Sequence, residues 1–217
     1  VKRGITRSTL GQYQAAISDF DQAIQSAPNM AEAYSNRGMA YAHLKNWSRA
    51  TQDLDKAVQL NPNLVDAYNN RGALRAGLGD TQGALADYNQ AIKLDPNSSD
   101  AYGGRGLVRA GMRDYKAAIA DMDQAIRLRP NDAKSYSNRG LFYALSGNDQ
   151  KAIADYTEAV RLDPTLVSAY NNRGLAYTRL KDKKKAADDL QKAATLYQKT
   201  GDKSNQQRVL DELKKVK

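Results

Sequence analysis

Ala31–Pro62 reads AEAYSNRGMAYAHLKNWSRATQDLDKAVQLNP, and the same text returns over 65–96, 99–130 and 133–164, then from Val167 with a worn end. The five prolines of the chain, Pro28, Pro62, Pro96, Pro130 and Pro164, stand 34 residues apart. Tyr34, Tyr68, Tyr102, Tyr136 and Tyr170 keep the same step, as do the Arg-Gly pairs beginning at Arg37, Arg71, Arg105, Arg139 and Arg173. A fixed period of this length marks stacked repeats, in which each unit buries its apolar face only against its neighbours.

Each copy reads as two helices. Tyr34, Gly38 and Tyr41 fall on one face of the first, which is expected to run from about Ala31 to Leu44. A turn follows at Lys45-Asn46, and in later copies at Gly79-Asp80, Arg113-Asp114, Gly147-Asn148 and Lys181-Asp182. Glycine supplies a left-handed residue there, and Asn or Asp caps the next helix. The second helix carries Ala50, Leu54, Ala57 and Val58 on its inner side and stops at proline, which lacks the N–H that a helix needs. Asn29, Asn63, Asn97, Asn131 and Thr165 follow the prolines and are expected to cap the next first helices. The first repeat (1–30) has lost its opening turn, so a preceding segment is expected. The sixth ends at Gln198 in place of proline, so its second helix should run to about Lys199. Ser204 and Gln207 have the form of a capping box, and Val209, Leu210, Leu213 and Val216 then share one helical face.

At these spacings the Tyr, Gly, Tyr, Ala and Pro signature resembles the tetratricopeptide repeat. Every full copy has Tyr where the family often has Trp, and Arg where it usually has Leu before the glycine. The resemblance implies one all-α domain over 1–217, a right-handed superhelical solenoid of antiparallel helix pairs. Its parts are the partial repeat 1–30, the repeats 31–64, 65–98, 99–132, 133–166 and 167–200, and a capping helix over 201–217, making thirteen helices. The Asn-Arg-Gly repeats look like those of bacterial members.

Composition excludes several chemistries. There is no cysteine and a single histidine, His43, which leaves no thiol catalysis, no disulfide and no common zinc set. No apolar run approaches the roughly 20 residues of a membrane helix. The net charge of +9 sits at the ends: residues 1–7 and 179–217 carry all of it, while the 171 residues between hold 18 charges of each sign. A basic stripe along the repeats, which phosphate tracking requires, is missing, and this argues against nucleic acid as a partner. The sequence contains no nucleophile with a base, no metal cluster and no phosphate loop, so neither an enzyme nor a cofactor is expected. A cytoplasmic location is the expectation; a removed leading segment would allow a periplasmic or membrane-anchored one.

Two constellations recur. The first is Arg37/Asp53, Arg71/Asp87, Arg105/Asp121, Arg139/Asp155 and Arg173/Asp189, each pair 16 residues apart and each expected to be a structural ion pair between the two helices of a repeat. The second lies on the first helices. Asn36, Asn70, Asn138 and Asn172, interrupted by Gly104, precede the Arg-Gly pairs, and Met39, Leu107, Leu141 and Leu175 lie three residues on, on the same face. An amide offers a donor and an acceptor together, which suits the main chain of an extended peptide. These positions are expected to stay clear of helix–helix packing, and Gly103, Gly104 and Gly111 to leave an open floor. The row looks like the asparagine ladder of the O-GlcNAc transferase repeats.

The resemblance implies that first helices line a concave face and hold a peptide segment of another protein. The carboxylate clamp of co-chaperone repeats is not present: the corresponding positions are Ser35, Asn69, Gly103, Ser137 and Asn171, with no lysine. The main reading is a non-catalytic scaffold that binds a partner's peptide in this groove. The alternatives are a module that assembles as a homodimer and nucleic-acid binding through the basic termini.

Overall fold

A computed structural model of the chain describes residues 1–216; Lys217, the last residue of the expected capping helix, lies outside the described residues. Among the described residues there are thirteen α-helices and no strand. The first helices of the repeats are α1 (Lys2–Thr9), α3 (Ala31–His43), α5 (Val65–Gly77), α7 (Ser99–Gly111), α9 (Ala133–Leu145) and α11 (Val167–Arg179). The second helices are α2 (Tyr13–Ser26), α4 (Trp47–Leu60), α6 (Thr81–Leu94), α8 (Tyr115–Leu128), α10 (Asp149–Leu162) and α12 (Lys183–Thr200), and α13 (Lys203–Val216) closes the series. The helices group into two compact units, one from Val1 to Val108 and one beginning at Arg109. The architecture is an all-α helical-repeat solenoid.

One turn geometry joins the first helix of a repeat to the second. Lys45 N–H donates to Ala42 O at 2.9 Å and Asn46 N–H to Tyr41 O at 2.9 Å, the paired bonds of a Schellman motif. The motif needs a left-handed residue between them. Gly79 and Gly147 supply it at φ 85° and 84°, but Lys45, Arg113 and Lys181 adopt it too, at 60°, 63° and 62°. The next residue then caps the second helix: Asn46, Asp80, Asp114, Asn148 and Asp182 each accept the N–H three residues on.

The caps of the first helices differ from expectation. Met30, Leu64 and Leu166 occupy the N-cap with no side-chain bond, and Asp132 is the N-cap of α9. The polar residues after proline serve the loop instead. Asn63, Asn97 and Thr165 donate their N–H groups to Asn61, Asp95 and Asp163 at 2.8–3.0 Å, closing a small turn around each proline. At the end of the chain Asp202, not Ser204, caps α13, accepting from Asn205 N–H at 3.1 Å. Val209, Leu213 and Val216 are buried against Leu190, Ala193 and Ala194 of α12.

Helix pairs meet through glycine. A Cβ on Gly38 would stand 2.9 Å from Leu54, and one on Gly140 2.9 Å from Tyr156, so only a bare Cα allows this approach. Ala50, Leu54 and Ala57 are completely buried opposite Gly38.

Beside each glycine the arginine sits where three helices meet. Arg37, Arg71, Arg139 and Arg173 donate through two nitrogens to Asp53, Asp87, Asp155 and Asp189 at 2.7–3.0 Å. Nη1 of the same side chains turns back to the preceding repeat: Arg37 to Asp21, Arg71 to Asp55, Arg139 to Asp123 and Arg173 to Thr157, at 2.6–3.0 Å. Arg105 reaches back to Asn89 in the same way, at 2.7 Å. The two carboxylates of an Asp-x-Asp pair therefore serve successive arginines. Each guanidinium also lies over the tyrosine three residues before it, 5.3 Å from the ring centre at Arg37. Pairing with Asp53 is the foremost cause that holds the Arg37 guanidinium above its ordinary pKa.

The residue four after each of these arginines takes one of two forms. Arg7, Arg75 and Arg109 add a second guanidinium to Asp19, Asp87 and Asp121, each at 2.8 Å. Tyr41, Tyr143 and Tyr177 put a ring there instead, and Arg49, Lys151 and Lys185 of the second helix cover it at 5.2–5.4 Å. Where the first helix brings arginine, that second-helix position is Ala15, Gly83 or Ala117.

Two outcomes are expected in urea denaturation. Lys45→Gly should raise stability by about 0.5–1 kcal/mol by relieving the left-handed residue, and Gly79→Ala should lower it by about 1 kcal/mol. Asp87→Ala removes the buried carboxylate that Arg71 and Arg75 share, leaving Arg71 only the half-exposed Asp55, and should cost about 3 kcal/mol, as breaking a buried pair does. Asp55→Ala removes a half-exposed partner and should cost less than about 1 kcal/mol.

Candidate functional site

The first helices carry the row of amides and apolar side chains. In the first unit Asn36 and Asn70 are half-buried, and in the second so are Asn138 and Asn172. Not all of their capacity faces outward. Asn36 donates to Glu32 O of its own helix at 2.8 Å, and Asn172 accepts from Asn171 at 3.3 Å. Asn70 donates to Ser35 Oγ at 3.0 Å, so its amide ties α5 to α3. This corrects the expectation that the whole row stays clear of packing: Asn70 links two repeats. Met39 and Leu141 also pack partly inward, against Leu54 and Leu74 in one unit and Met122 and Phe142 in the other. Leu107 remains half-exposed.

The floor at Gly104 is closed. A Cβ there would lie 2.3 Å from Tyr88 Cζ and 2.6 Å from its hydroxyl, so the tyrosine ring fills the space that an asparagine would need. Burial pushes the Tyr88 hydroxyl up to about 12. Gly103 and Gly111 do have open space around their Cα atoms.

Between consecutive first helices lie two clefts in equivalent register, one per unit. The first-unit cleft runs between α3 and α5 and is lined by Met39, Ala42, His43, Trp47, Ala73 and Gly77. His43 stacks on Tyr13 with ring centres 4.4 Å apart, which steadies one wall. The second-unit cleft, about 320 Å³, runs between α9 and α11, lined by Leu141, Ala144, Leu145, Asn172, Leu175 and Arg179, with Tyr156 of α10 beneath. Five wall residues stand 102 positions after counterparts in the first cleft: Leu141 after Met39, Ala144 after Ala42, Leu145 after His43, Leu175 after Ala73 and Arg179 after Gly77. Sequence reasoning missed Trp47, Leu145, Tyr156 and Arg179 here; aligning the copies matches Leu145 with His43 and Arg179 with Gly77, whereas Trp47 and Tyr156 line one cleft without a counterpart in the other. Among the described residues no group of His, Asp and Glu is gathered as a metal site requires, and no helix is long and apolar enough to cross a membrane.

Comparison with known proteins agrees with the repeat fold. Family models described as tetratricopeptide repeat match residues 1–30, 31–64, 65–98, 99–132 and 167–200, and one described as TPR repeat matches 140–181. Among solved structures, the chain is similar to MamA from Desulfovibrio magneticus RS-1, with TM-score 0.69 and 27% identity over 78% of this chain and 96% of that one. It shares its fold with YrrB, described as a TPR protein with an unusual peptide-binding site (TM-score 0.63, 23% identity, 82% of this chain and 91% of that one). It also shares it with a chain of the APC/C hetero-tetramer Cut9-Hcn1 (TM-score 0.84, 19% identity, 98% of this chain and 41% of that one). A search of curated protein sequences returns no significant match.

The closed floor gives a direct test. Gly104→Asn, which would complete the amide row, must displace the Tyr88 ring and should cost about 1–3 kcal/mol as other overpacked substitutions do. Tyr88→Leu in the same chain recreates the Leu54/Asn70 arrangement and should recover most of that loss in thermal unfolding.

Proposed function

We propose that this chain, which belongs to the tetratricopeptide repeat family, is a non-catalytic scaffold that holds an extended segment of a partner protein along its first helices. Proteins of this family mediate protein–protein interaction. The observation that carries the finer reading is the row of half-buried amides beside apolar side chains, with a cleft next to it in each unit. Amides bind peptide main chain without regard to sequence, and apolar clefts take alternate side chains of an extended strand. No Asp, Glu, Lys or Arg lines the first-unit cleft, and the Arg179 charge in the second is met by Asp149 at 2.6 Å. A charged chain terminus is therefore not the ligand that this surface suits. We read the Asn-Arg-Gly form of the first helices as that of bacterial members.

Asn138 and Asn172 give the cleanest test, because neither bonds across to another helix as Asn70 does. With a peptide selected from a random library on the full chain, Asn138→Ala combined with Asn172→Ala should weaken binding by about 1–3 kcal/mol in isothermal titration. The melting temperature should stay within a degree or two of the parent. A library that yields no binder, or a double variant that binds as the parent does, would overturn the reading.

A further inference from the structure

The first residue of a second helix and the last residue of the next first helix form a recurring pair of positions. Tyr13 opens α2 and His43 closes α3, and their rings stack with centres 4.4 Å apart and planes 7° from parallel. In the second unit the same two positions hold Asp149 and Arg179, which pair at 2.6 Å. Trp47 and Gly77 stand there in the remaining copy of the first unit's cleft, 34 residues after Tyr13 and His43. At this copy the contact is not made. Glycine brings no side chain, and a Cβ on Gly77 would meet nothing within 4 Å. Trp47, the only tryptophan of the chain, is left 45% exposed. Both residues line the first-unit cleft. A large ring exposed at a cleft, with its register partner removed, is a surface that a ligand can cover.

The cleft itself narrows the choice of cover. Its volume is about 190 Å³, and an apolar cavity of about 150 Å³ is enough to take up benzene. Met39, Ala42, Ala73 and Leu74 supply apolar walls, and no Asp, Glu, Lys or Arg lines the space. A guanidinium could lie on the indole, but it would lose hydration with no carboxylate to meet it. An aliphatic side chain would fill the volume without the gain that paired rings and a thioether beside a ring provide. A phenyl ring fits the volume, carries no charge and makes both contacts.

We propose that the first-unit cleft is a slot for a phenylalanine side chain of the bound segment, whose ring packs on Trp47 as His43 packs on Tyr13. The inference rests on the reading of the first helices as a peptide surface and names a side chain that this surface selects.

The test uses the full chain and three probes, the N-acetyl N′-methylamides of phenylalanine, leucine and arginine. Each is titrated while the NMR signals of the Trp47 indole N–H and the Met39 methyl are followed. The phenylalanine probe should shift both signals and bind at least threefold tighter than leucine and tenfold tighter than arginine. Gly77→His writes the Tyr13–His43 pair into the next register. It should melt no lower than the parent and weaken the phenylalanine probe at least fivefold, because its own ring takes the slot. Trp47→Leu keeps the wall apolar and should erase the preference for phenylalanine over leucine, read on Met39. Trp47→Thr, which copies Thr81 one repeat on, carries the same expectation if the leucine variant does not fold. Equal binding of phenylalanine and leucine, an arginine probe that binds tightest, or no shift of the two signals would each overturn the slot. So would a phenylalanine preference that survives loss of Trp47, or undiminished phenylalanine binding by Gly77→His. The probes are single residues, so the result is independent of the amide row. A chain that binds selected peptides through Asn138 and Asn172 but shows no such preference loses this inference and keeps the reading of the groove.

Discussion

The guanidinium of the recurring arginine is the point on which the repeats are hung. It is held by a buried aspartate 16 residues ahead and, in most copies, by an oxygen 16 residues behind, so one side chain bonds two consecutive second helices from a first helix between them. Its net contribution to stability is modest, since taking both charges out of water offsets much of their attraction. What it fixes is register. A helix that slid by one residue would strand an arginine with 15% of its side chain exposed against an aspartate with 3%, as at Arg71 and Asp87. The clefts between first helices have defined walls because these contacts admit one placement.

Much of this was legible in the sequence, because it is arithmetic. A 34-residue step in proline, tyrosine and arginine–glycine gives the helix pairs, and alternating small and large residues on the second helices give the buried face. The rest depends on directions that a periodic pattern does not carry. Glycine at 79 and 147 suggests a left-handed turn, but Lys45 shows that the backbone demands the conformation whatever stands there. The asparagines after proline look like helix caps, yet they sit one residue too early and bond to the loop. The groove was legible as a row of positions and not as a surface. Asn70 spends a donor on Ser35, and Gly104 is filled by a ring from another helix.

The two clefts show how a repeat protein differentiates copies of one text. Backbone and register are shared, so the walls fall in the same places. Three substitutions then change the chemistry: Tyr156 for Leu54, Asp149 for Trp47, Arg179 for Gly77. One cleft is walled by His43 and Trp47, the other by leucines with the Arg179–Asp149 pair at its end. None of the three touches the recurring arginine–aspartate contacts, so the cleft is free to vary while the stack is held.

The exchange between arginine and tyrosine four residues after the hanging arginine sets a rule for how such a chain can grow. Arginine is accompanied by alanine or glycine on the second helix, and tyrosine by arginine or lysine, without exception in the six copies. The two partners lie on opposite sides of the turn, eight residues apart. A gene duplication or crossover that joins copies at the proline loops keeps every couple intact. One that joins an arginine copy to a tyrosine copy within the turn produces either two cations with no ring between them or a bare ring with none. The prolines are thus the seams at which this lineage can be lengthened, and the tight turns are not.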